Sequence, residues 1–213
     1  MIKKISKEKQ WIGLLLLFYF FGLLGMSFET YKDLFLPLTP LNLILTLFVF
    51  YKLNKDYSLK FFILSTLIFL IGFSVEAIGV ATGILFGSYT YGSVFGFKIF
   101  ETPLLIGVNW LFLALSTYGV VQYFTKKALW LILLPALLMT ALDFLVEPVA
   151  VHLGFWHWEN DIIPLQNYGM WFLTSVAIHA MTYLFRPKIN SKISFVIVSV
   201  QLLFFGILSL LIA

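Results

Sequence analysis

Long, nearly uncharged apolar runs fill this sequence, and short connections between them hold most of its lysines and arginines. A helix that crosses a bilayer needs about 20 mostly apolar residues. Seven stretches meet or approach that length: residues 11–28, 34–53, 61–86, 102–124, 128–151, 170–185 and 193–213. Backbone N–H and C=O groups in hydrocarbon must be paired within the segment, so helices are the expected form. Strands of a membrane barrel would alternate apolar and polar residues, whereas these runs are continuously apolar. The expected architecture is all-α: a polytopic integral membrane protein, a seven-transmembrane-helix bundle forming one domain over residues 1–213. The first ten residues and the run behind them show no small-residue cleavage pattern, so they are read as an uncleaved first helix.

Composition removes several classes at once. The chain is 61% hydrophobic and only 11% charged, against about 25% charge in a soluble domain. It cannot cover a water-facing surface, which excludes a soluble globular enzyme and a disordered chain. The absence of cysteine excludes a disulfide scaffold, a thiol nucleophile and a zinc–thiolate site. Seven alternating crossings with a cytoplasmic N-terminus put Lys3, Lys4, Lys7, Lys9, Lys52, Lys55, Lys60, Lys126, Lys127, Arg186, Lys188 and Lys192 inside. Lys32 and Lys98 then lie outside, a bias that follows the positive-inside rule and predicts a cell-membrane location. Basic residues dispersed in this way give no nucleic-acid surface.

The acids behave differently. Glu76, Asp143 and Glu147 lie inside predicted spans, where ionisable groups are costly and turn toward the bundle interior. Glu76 and Asp143 each lie roughly 22 Å along their helices from the cytoplasmic end, at 1.5 Å per residue. Asn42, Asn109 and His179 fall near that same outer level. Asp143 and Glu147 are four residues apart, so they share a helix face. Two carboxyls so close in hydrocarbon cannot easily both ionise, and the pair is expected to hold one proton. Gly72, Gly79 and Gly83 share a face with Glu76, leaving room for close packing or a slender ligand. Tyr89, Tyr91, Trp156, Trp158 and Trp171 cap that outer face. Rings in such positions anchor at the membrane interface or stabilise a cation.

Missing residues narrow the chemistry. The last span has no lysine for a retinal Schiff base. His152, His157, Glu159 and Asp161 match no zinc spacing, and no metal is expected. Neither a phosphate-binding loop nor a dinucleotide fingerprint in a strand–helix context is present. Cofactor-free acid–base chemistry on an apolar substrate and proton-linked transport both remain open.

Two blocks of residues carry a resemblance. The first is Glu76-Ala-Ile-Gly79, Thr82-Gly83, Phe86-Gly87 and Tyr89-Thr-Tyr91. The second is Asp143-Phe-Leu-Val-Glu147-Pro148 with Ala150, then Gly154-Phe-Trp156-His-Trp158, Ile163-Pro164 and Asn167-Tyr168. Over residues 72–171 the sequence resembles the integral-membrane acyclic carotenoid hydratases, of the bisanhydrobacterioruberin and γ-carotene hydratase type. It departs from them at Met170-Trp171, where Gly-Trp is expected, and at Glu147, where Asp is frequent. The family is distantly similar to the small membrane lycopene cyclases, which also use buried carboxylates.

The resemblance implies acid-catalysed addition of water to the terminal double bond of a lipophilic acyclic carotenoid, leaving a tertiary alcohol, without a cofactor. For that chemistry Asp143 is the expected proton donor, with Glu147 orienting water or accepting its proton and Glu76 tuning the site or exchanging roles with Asp143. Asn109 and Asn167 would hold the water. Trp156, Trp158 and Tyr89 would flank the cation, with Tyr91, Trp171 and His179 completing the substrate surroundings. Expected partners are the carotenoid, membrane lipid and other carotenoid-pathway enzymes. A lycopene-type cyclase shares the protonation step. A proton-coupled carrier and a carotenoid-binding membrane scaffold are the alternatives outside enzymes.

Overall fold

The computed structural model describes residues 6–212; Lys3, Lys4 and the end of the last expected span at Ala213 lie outside them. Eight α-helices follow in chain order: α1 (Lys7–Met26), α2 (Glu29–Phe35), α3 (Thr39–Asn54), α4 (Leu59–Thr82), α5 (Leu104–Phe124), α6 (Ala128–His152), α7 (Leu165–Phe185) and α8 (Ser191–Ile212). Local sequence sets their ends. Ser6 and Ser58 cap α1 and α4 by accepting the amides of Lys9 and Phe61. Pro103 and Pro164 occupy the cap positions of α5 and α7, where no amide is needed. Gly83 ends α4 in the left-handed conformation, φ 66°. The third expected span therefore stops at Thr82 and not at residue 86. The second starts earlier than expected, and a 3-10 turn at Leu36–Leu38, containing Pro37, interrupts it.

Six of these helical segments are long and apolar enough to cross a membrane. The 21-residue α7 has the length without matching apolarity. Its polar side chains Asn167, Thr174, Ser175, His179 and Thr182 are all buried. They lower its hydropathy while facing protein, not lipid. α5 is the central helix: 78% of its apolar window is buried, against 22–33% in the other five. It packs against α4, α6 and α8.

The connections on one side are structured. Strand β1 (Tyr89–Tyr91) follows α4, and a small hairpin of β2 (Lys98–Ile99) and β3 (Thr102–Pro103) leads into α5. Strand β4 (Trp156–Trp158) follows α6 and pairs antiparallel with β1, placing Tyr89 opposite Trp158 and Tyr91 opposite Trp156. Successive strand residues point to opposite faces. Tyr89, Tyr91 and Trp158 are buried and Trp156 is half-buried, while Thr90 and His157 are exposed. This two-strand ribbon is a lid whose inner face carries four aromatic side chains.

Candidate active site

Each buried acid receives donors from a different part of the scaffold. Glu76, on α4, sits where glycines let its neighbours close in. A Cβ at Gly72 would collide with Trp110 of α5, and one at Gly79 with Phe86. The Glu76 Oε2 accepts hydrogen bonds from the hydroxyls of Tyr89 (2.5 Å) and Tyr91 (2.8 Å), and its Oε1 from Trp110 Nε1 (3.0 Å). Trp110 lies flat on Trp171 of α7, with centroids 4.0 Å apart and planes 13° from parallel. Burial, followed by the charge of Glu76, pushes both tyrosine hydroxyls well above their ordinary range. They remain O–H donors at any working pH.

Asp143 and Glu147, one helical turn apart on α6, meet across the amide of Asn167. The Asn167 Nδ2 donates to Asp143 Oδ2 at 2.9 Å and to Glu147 Oε1 at 3.0 Å. Glu147 Oε2 accepts from the indoles of Trp158 (2.7 Å) and Trp156 (3.0 Å). Trp N–H groups only donate, so these contacts fix Glu147 Oε2 and Glu76 Oε1 as acceptors. Asn167 makes the single hydrogen bond to Asp143 among the described residues. Five of the six carboxyl oxygens are thus occupied by donors, and Asp143 Oδ1 is the sixth.

Glu76, Asp143 and Glu147 line one pocket of about 30 Å³, closed by Tyr89, Tyr91, Asn109, Trp156, Trp158, Asn167 and Trp171. A water needs about 10–15 Å³ of such space, so the pocket suits one or two. Ile106, Asn109 and Trp156 also border a second cavity of about 420 Å³, walled chiefly by apolar side chains of α1, α3, α5, α6 and α8. The two spaces share these three residues as a common wall.

The structure gathers every expected site residue into this pocket except His179. That side chain lies deeper between α5 and α7, with Nδ1 2.6 Å from the Ser175 carbonyl and Nε2 3.2 Å from the Thr117 hydroxyl. His152 turns to Glu29 of α2, 3.5 Å away. Trp110 is the participant that sequence reasoning misses: a tryptophan within an apolar helix reads as core.

The site is a pocket of buried carboxyls, ringed by aromatic donors and set in a helical membrane protein. Residues 38–213 match the family described as carotenoid biosynthesis protein, and the chain belongs to that family. It is also 32% identical over 118 residues to the bisanhydrobacterioruberin hydratase of Haloarcula japonica, a match covering 51% of this chain and 40% of the relative. The chain therefore matches less than half the length of that relative. No solved structure matches the chain.

Proposed function

We propose that this chain is a carotenoid hydratase that adds water across the terminal double bond of an acyclic carotenoid. The observation that carries this is the water-sized, three-acid pocket sharing a wall with a larger, mostly apolar cavity. The apolar cavity takes the end portion of the polyene, and the terminal alkene reaches the acids past Asn109 and Trp156.

Asp143 Oδ1, free of donors, is where the shared proton fits. Its transfer to the inner CH carbon of the terminal double bond forms a C–H bond, consumes the π pair and leaves a tertiary cation on the outer, dimethyl carbon. The faces of Tyr89, Trp156 and Trp158 surround that cation. One water, held by Asn109 and Asn167, attacks it through oxygen and gives up a proton to the Asp143–Glu147 pair. The products are the tertiary alcohol and a carboxyl pair reset with one proton, so the cycle consumes only alkene and water. Glu76, tied by three donors, holds the tyrosine side of the lid in place.

The polar lining favours hydration over cyclisation. Asn109 and Asn167 stand beside the three acids and give a water hydrogen-bonding partners there. In the bilayer, α7 joins the six apolar segments to make seven crossings, and the N-terminus is cytoplasmic. This places the lid on the outer face of the cell membrane, with lipid and the carotenoid as partners.

The test is expression in a host that accumulates acyclic carotenoid. Wild type should add the mass of one water per reacting end, and Asp143→Asn should add none. Full hydration by both Asp143→Asn and Glu76→Gln would overturn the assignment. An isomer of unchanged mass from wild type would make the protein a cyclase.

A further inference from the structure

Inside the larger cavity, away from the acids, lies a second group of polar side chains. Gln201 Nε2 donates to the Tyr19 hydroxyl (2.8 Å), which pairs with Thr46 Oγ1 (2.9 Å), and Thr46 in turn donates to the Asn42 carbonyl (2.8 Å). This chain joins α8, α1 and α3, and both of its hydroxyl groups have partners. Two atoms beside it do not share in that closure. The Asn42 side chain lies near the Tyr19 hydroxyl, yet Asn42 Oδ1 and Thr39 Oγ1 are buried without any hydrogen-bond partner. Both residues line the larger cavity. They are three apart on α3 and therefore share a face.

Unpaired polar atoms on residues that wall an apolar chamber carry a desolvation cost that an occupant reaching them removes. Asn42 Oδ1 asks for a donor. Thr39 Oγ1 offers a hydrogen and also accepts. A hydroxyl meets both needs, a hydrocarbon neither. We propose that Thr39 and Asn42 form an alcohol-binding subsite in the apolar cavity, and that it takes the hydroxyl of the hydrated product as it withdraws from the acids. This rests on the hydration reading. A new tertiary alcohol leaving past Ile106, Asn109 and Trp156 enters a chamber that is otherwise almost wholly apolar. The subsite gives its hydroxyl partners there, and it makes the protein hold product more tightly than substrate.

Binding tests this without turnover. Detergent-solubilised protein is offered an equimolar mixture of an acyclic polyene and its terminal tertiary alcohol, and retained pigments are quantified against protein-free micelles. Wild type should enrich the alcohol about tenfold, the worth of one to two hydrogen bonds. Asn42→Leu and the near-isosteric Thr39→Val should each reduce the enrichment while hydrocarbon retention holds or rises. Asp143→Asn should keep it, because the subsite is separate from the acids. Equal retention of both pigments by wild type overturns the subsite, as does parallel loss of both in Thr39→Val. Because no reaction is needed, a protein that hydrates nothing could still enrich the alcohol, and one that hydrates could fail to. The two proposals therefore fail separately.

Discussion

At the scale of single residues, the site is a question of which carboxyl oxygen has how many donors. Among the described residues, Trp110 is the one donor to Glu76 Oε1, whereas Glu147 Oε2 has two indoles. Stranding a buried acceptor costs about 1–3 kcal/mol. Trp110→Phe should therefore lower thermal stability in detergent by about that amount, and Trp158→Phe by clearly less, since Trp156 still serves Glu147. Equal losses in melting experiments would show that ring packing, not the hydrogen bond, sets the cost. The acids themselves were legible in the sequence, because an ionisable group within an apolar run has few explanations. Their donors were less so. Trp110 finds its partner 34 residues away, and Asn167 bridges two acids 24 and 20 residues upstream. His179 shows the limit of reasoning by depth: it lies on an expected span at a similar predicted level, but helical rotation turns it toward Thr117 and away from the pocket.

At the scale of elements, the lid depends on one close backbone approach. Gly92 follows β1 and donates its amide to the Phe155 carbonyl at 2.9 Å. A Cβ at Gly92 would run into the Gly154 carbonyl oxygen. Gly92→Ala should thus push the two strands apart and displace Tyr91 and Trp156 together. Hydration is expected to fall at least tenfold with every acid intact, alongside an overpacking cost of about 1–3 kcal/mol. Gly169→Ala, where the added methyl meets open space, is the control and should leave pigment yield unchanged. Wild-type yield from Gly92→Ala would mean the ribbon does not position the site. Three-residue strands 67 positions apart leave no periodic signal, so the sequence showed the aromatics without their pairing. Helix existence was plain from apolar length. The ends were less so, although Pro37, Gly83, Pro103 and Pro164 mark them once their geometry is seen.

At the scale of the whole molecule, orientation decides which compartment faces the lid. The chain has no cysteine, so single cysteines report cleanly. In intact cells, Glu159→Cys should react with a membrane-impermeant maleimide, and Lys126→Cys should react only after permeabilisation. The reverse pattern would invert the topology and place the lid in the cytoplasm.

The walls of the larger cavity have two origins. Leu14, Leu17, Phe18, Tyr19, Phe21, Gly22 and Met26 come from α1, which precedes the family-matched stretch beginning at residue 38. The three acids and all the side chains that bond them fall after that point. Under the proposed hydration, the walls that choose a guest come partly from a helix that carries none of the acids that transform it. Exchanging the leading helix for another is a route to retuning appetite while leaving chemistry alone.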